Sequence, residues 1–97
     1  MGPSPLTLTD AAKKHIEDTA FAYGVHHIAM RVRMTPKGLK DGFELQLEEE
    51  PLEGDEVYVS NGIRFYLERA LVAQVRGLTI DFHPRGGGAF VFRRDTA

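Results

Sequence analysis

Between Val57-Tyr58-Val59 and Ile63-Arg64-Phe65-Tyr66-Leu67 stands the pair Asn61-Gly62. Both residues tolerate positive φ, as a type I′ turn requires, so the middle of the chain is committed to an antiparallel hairpin. Alternation elsewhere supplies further strands. Ile28, Met30, Val32 and Met34 alternate with Ala29, Arg31 and Arg33, and Phe43, Leu45 and Leu47 alternate with Glu44, Gln46 and Glu48. Period two gives each segment one apolar face for a core and one polar face. Leu78, Ile80 and Phe82 repeat the pattern. The Gly86-Gly87-Gly88 run then interrupts it, and Ala89 to Phe92 forms a short last strand. Leu6-Thr7-Leu8 is expected at a sheet edge. On the same alternation Phe43, Phe65, Phe82, Phe90 and Phe92 are core residues.

Two segments follow the helical period instead. Ala12, Ile16, Ala20 and Tyr23 form one stripe, with Lys13, Lys14, Glu17 and Asp18 opposite. Thr9 is the expected N-cap, Asp10 suits the positive field of the first turn, and Gly24 ends the helix, which therefore spans about 10–23. Leu71, Val72 and Val75 mark a second helix over about 68–75, stopped at Gly77. Thr35-Pro36-Lys37-Gly38 is a turn, and the acidic stretch with Pro51 and Gly54 is a loop. The expected architecture is α+β, strand-dominated, with residues 1–97 forming a single domain behind a flexible tail at 1–5. Ninety-seven residues suffice for one modest core and not for two.

Charge narrows the partners. Twelve Lys+Arg against 14 Asp+Glu leave a net −2, which gives no general attraction to nucleic acid or an acidic membrane. The distribution is uneven: no Lys or Arg lies between Lys40 and Arg64, while Glu44, Glu48, Glu49, Glu50, Glu53, Asp55 and Glu56 crowd that interval. Arg31, Arg33, Lys37 and Lys40 come just before it and make a candidate interaction surface. Arg31 and Arg33 would face away from the core, where an anionic partner could relieve their mutual repulsion. The competing reading pairs either arginine with a cross-strand acid such as Glu44.

Other chemistries find little purchase. His26 and His27 are adjacent and would point apart on extended backbone, His15 and His83 lie elsewhere, and no ligand spacing accompanies them, so no metal is expected. Ser4 and Ser60 belong to no recognisable triad, and no enzymatic activity is expected. Gly86-Gly87-Gly88 after Arg85 lacks the spacing of a phosphate-binding loop and reads as a hairpin or bulge. The basic residues with Tyr58 or Tyr66 alongside sketch a weak single-strand-binding surface without a recognition motif. No stretch is long and apolar enough to span a membrane, and cytoplasm is the default location.

Four segments in order resemble the HesB-like, or A-type, iron–sulfur carrier family. Leu8-Thr9-Asp10-Ala11-Ala12 is similar to the family's helix start. Gly42 to Pro51 is similar to its second strand with an acidic-Pro ending, Gly77 to Phe82 to its Gly-x-x-hydrophobic-Asp-hydrophobic strand, and Phe90-Val91-Phe92 to its Gly-Phe-x-Phe segment. The resemblance implies the family's fold. It does not imply its activity. The family's first cysteine position falls at Gly38, and Arg93-Arg94-Asp95-Thr96-Ala97 stands where an Asn-Pro-Asn and then a Cys-Gly-Cys are expected. The 97 residues include no cysteine, and thiolates are what usually hold such clusters. No cofactor is therefore expected. The expected function is a non-catalytic protein-interaction or accessory domain, with another protein or a second copy as partner. Its rivals are an iron or iron–sulfur assembly factor working with a thiol-bearing partner, and a small-anion or single-stranded nucleic-acid module.

Overall fold

The hairpin forms as its residues require. In a computed structural model describing residues 4–25, 28–34, 42–85 and 88–94, Asn61 and Gly62 take φ of 52° and 79°. They join β4 (Asp55–Ser60) to β5 (Ile63–Glu68), in register from Ser60 opposite Ile63 to Asp55 opposite Glu68. β2 (Ala29–Met34) lies parallel to β5 and antiparallel to β3 (Phe43–Leu47), giving one sheet in the order β3-β2-β5-β4. β1 (Leu6–Leu8) is the parallel edge strand of a second sheet, followed by β6 (Leu78–His83) and β7 (Ala89–Arg94). The architecture is α+β and strand-dominated.

α1 (Asp10–Ala22) starts where the cap predicts. Thr9 Oγ1 accepts from the Ala12 amide at 3.2 Å and donates to Asp81 Oδ1 at 2.7 Å, tying the helix start to β6. Ala12, Ile16 and Ala20 are buried, but Tyr23 is 76% exposed. It is the C-cap, outside helical geometry, so the stripe does not extend to it. The expected second helix is shorter than its pattern suggested. Glu68 remains in the β4–β5 ladder, Arg69–Leu71 make a 3-10 turn, and α2 covers only Val72–Val75. Gly77 follows with φ 80°.

Leu6, Leu8, Ile16, Met30, Val32, Phe65, Leu67, Val75 and Ile80 fill the space between the sheets and α1. Each large apolar side chain buried there contributes about 1.5–3 kcal/mol. Phe43, Phe82, Phe90 and Phe92 pack against this core while partly buried. Met34, expected inside, is 48% exposed at the end of β2, whereas Ala29 and Arg31 on the other face are buried. Alternation therefore assigns the faces correctly and misjudges what covers them. Among the described residues no helix is long and apolar enough to cross a membrane.

Candidate functional site

The polar face of β2 does not meet solvent at Arg31, because the acidic segment after β3 folds back over it. The Glu48 amide donates to Ala29 O at 3.0 Å, the Tyr66 hydroxyl donates to Glu49 O at 3.4 Å, and the Leu52 amide donates to the Asp55 carboxylate. Arg31 is left 6% exposed. Its guanidinium grips Asp55 with both terminal nitrogens, Nη1 to Oδ1 at 3.0 Å and Nη2 to Oδ2, and the Asp55 side chain is 3% exposed. Such forked pairs are short, directional and stronger than neutral hydrogen bonds. The Arg31 guanidinium holds the Asp55 carboxyl below the usual carboxylate range; burial opposes this and the Leu52 amide assists. Arg31 is in turn raised, first by its bond to Asp55, against the cost of burial. The pair is ionised throughout the neutral range. Arg31 Nε has no such partner. It lies 3.7 Å from Glu48 Oε1, beyond hydrogen-bonding distance, and is the one buried side-chain nitrogen or oxygen among the described residues left unsatisfied.

Beside this pair runs an open cleft of about 480 Å³ between β2, the 48–55 segment and the turn leading into α2. Its described lining carries the carboxylates of Glu48, Glu53, Asp55 and Glu68 against the guanidiniums of Arg31 and Arg33. Leu71 also lines it, together with Met34 and Leu52, which stay 48% and 63% exposed. Arg33 is exposed and donates to Gln46 Oε1 at 3.2 Å.

Of the four cations expected to form one surface, Arg31 is thus buried and spent on the chain's own acid. Arg33 remains exposed, and Lys37 and Lys40 lie outside the described residues, as do Gly38, His26, His27, Gly86 and Gly87. His15 stacks on Phe82 at 3.8 Å and meets Phe90 edge-on at 5.4 Å, while His83 is exposed, 3.6 Å from Asp81. Gly88 is closely packed: a Cβ there would come within 2.7 Å of Phe82 Cζ. Ser60 Oγ accepts from the Leu8 amide at 3.1 Å. Among the described residues no three His, Asp or Glu converge as metal ligands. Sequence reasoning missed Asp55, which lies 24 residues from Arg31. The turn at Asn61-Gly62 and counting by twos place Asp55 on the same sheet face as Tyr66. Only the parallel pairing of Arg31 with Tyr66, which no local signal encodes, brings Arg31 to that face.

A solution structure of a protein from Aquifex aeolicus superposes with a TM-score of 0.80 and 22% identity, over 98% of this chain and 96% of that one. Escherichia coli SufA, involved in biosynthesis of iron–sulfur clusters, gives 0.76 and 23%, over 100% and 92%. IscA, solved with a [2Fe–2S] cluster, gives 0.70 and 25%, over 95% and 84%. The chain has the HesB-like fold. No protein-family model and no curated protein sequence matches it, so the likeness is carried by structure. The donor set of this chain does not fit an iron–sulfur cluster. It has no thiolate at any of its 97 positions, and its described His, Asp and Glu residues do not gather into a substitute set.

Proposed function

We propose that this chain is a non-catalytic accessory domain that acts by binding another protein, and that it is not an autonomous carrier of an iron–sulfur cluster. The observation that carries the reading is a HesB-like fold without a single cysteine. The cleft beside Arg31 supports it. An internal ion pair ties two of its walls together, and Met34 and Leu52 stay exposed at its rim, where a partner could cover them. A cytoplasmic setting completes the proposal. Anaerobic reconstitution with iron and sulfide tests it. The protein should stay colourless after desalting, and stoichiometric sulfide with charge-transfer absorption in the visible would overturn the reading.

A second reading has one observation in its favour, the likeness to SufA and IscA. In it the chain joins iron–sulfur assembly with a partner that supplies the thiolates. Affinity capture from native extract separates the two: cluster-assembly proteins among the captured species favour the second, unrelated proteins the first.

A further inference from the structure

Arg31 Nε is a buried donor with nothing to donate to, on a side chain only 7% exposed. Glu48, 29% exposed, reaches it only as a long ion pair at 3.7 Å. Among the described lining residues the four carboxylates of Glu48, Glu53, Asp55 and Glu68 outnumber the two guanidiniums of Arg31 and Arg33, which makes that lining acidic on balance. Met34 and Leu52 add an apolar rim that water wets at a cost. An occupant that answers all of these must bring positive charge, an apolar group and a hydrogen-bond acceptor.

We propose that this cleft takes an extended segment of a partner protein in which a basic side chain stands next to an apolar one. This deepens the proposed function and rests on it. The basic side chain faces Glu53 and Glu68, the apolar one packs on Met34 and Leu52, and a backbone carbonyl accepts from Arg31 Nε as Glu48 swings aside. A cleft of about 480 Å³ has room for two or so side chains of a peptide. An acidic segment, or the phosphates of a nucleic acid, would meet a described lining whose carboxylates outnumber its guanidiniums and be disfavoured.

The test titrates the isotope-labelled full chain with a capped peptide alternating leucine and arginine, followed by amide chemical shifts. Peptides alternating leucine with glutamate, and glycine with arginine, serve as controls. The proposal expects saturable shifts centred on Met34, Leu52, Glu53 and Glu68, weakened by added salt, with none from the leucine–glutamate peptide and weaker binding of the glycine–arginine one. The paired substitutions Glu53→Gln with Glu68→Gln should weaken binding tenfold or more, and Leu52→Ser should weaken it separately. All three side chains are exposed, so the amide spectra should show both variants folded. No saturable shifts at millimolar peptide, shifts centred elsewhere, equal binding of the leucine–glutamate peptide, or unchanged affinity in folded variants would overturn it. The two proposals fail separately. A reconstituted cluster removes the proposed function and leaves the cleft, whereas a colourless protein that ignores the peptide removes the cleft alone.

Discussion

Taking a guanidinium and a carboxylate out of water costs several kcal/mol per ion, roughly what their attraction returns inside a protein. The Arg31–Asp55 pair is therefore better understood as specifying how the acidic segment sits on the sheet than as a net source of stability. Losing one partner is a different matter, because it strands the other charge. Asp55→Ala should destabilise the domain by about 3–5 kcal/mol in urea denaturation. Arg31→Met combined with Asp55→Leu should cost less than Asp55→Ala alone; a double variant worse than the single would show that the pair itself stabilises. Acid should expose the same residue. The Arg31 guanidinium depresses the Asp55 carboxyl, and the Thr9 hydroxyl with the Phe82 amide depresses that of Asp81. Each binds fewer protons folded than unfolded. Their contribution is therefore complete above the ordinary aspartate pKa of about 3.9 and is lost as pH falls through the lower folded values. The urea midpoint should hold from about pH 7 to about pH 5 and drop below about pH 4, less steeply in Asp55→Asn. Equal slopes in the two proteins would remove Asp55 from the account.

Individual elements were the most legible part of the sequence, because their signals are local. Thr9, Asn61-Gly62 and the alternating strands each announce themselves within a few residues, and each is found in place. Legibility faded where one element is finished by another. Tyr23 continues the α1 spacing but lies at the C-cap, and Glu68 fits the start of a helical pattern although Asp55 holds it in a ladder. Asn61 shows how much a local signal can hide. Besides taking φ 52°, it donates through Nδ2 to Leu8 O at 3.2 Å and to Asp10 Oδ1 at 2.9 Å, binding the hairpin to β1 and the start of α1. Replacing it separates the two roles. Asn61→Gly keeps the turn and loses the side-chain bonds, at about 1 kcal/mol; Asn61→Ala also strains the positive φ, adding about 1–2 kcal/mol. Each kcal/mol should lower the melting temperature by about 4–8 °C. Equal melting points for the two variants would mean the turn conformation costs alanine nothing.

At the scale of the whole molecule, the piece that closes the structure comes early in the chain and docks late in it. Leu8 of β1 pairs with Ile80 of β6, and Leu6 and Leu8 are 2% and 3% exposed. A leucine-to-alanine change in such a core costs about 2–5 kcal/mol, and domains of this kind hold about 5–15 kcal/mol in all. Leu6→Ala with Leu8→Ala should therefore abolish or nearly abolish the cooperative thermal transition seen by circular dichroism. A sharp transition near the parent temperature would show β1 to be dispensable. This pairing, like the parallel contact of β2 with β5, joins residues too distant for any periodicity to connect, which is why strands were readable and their order was not. The cleft shared that fate, since its walls come from three such distant segments. The ion pair that fixes those walls also has a consequence for control. Its charges are permanent at neutral pH, and the chain offers no thiol for an oxidant to cross-link. Neither a pH change within the neutral range nor disulfide chemistry would reset those walls. Proton and disulfide chemistry would then leave the timing of any complex at this cleft to the supply of the partner.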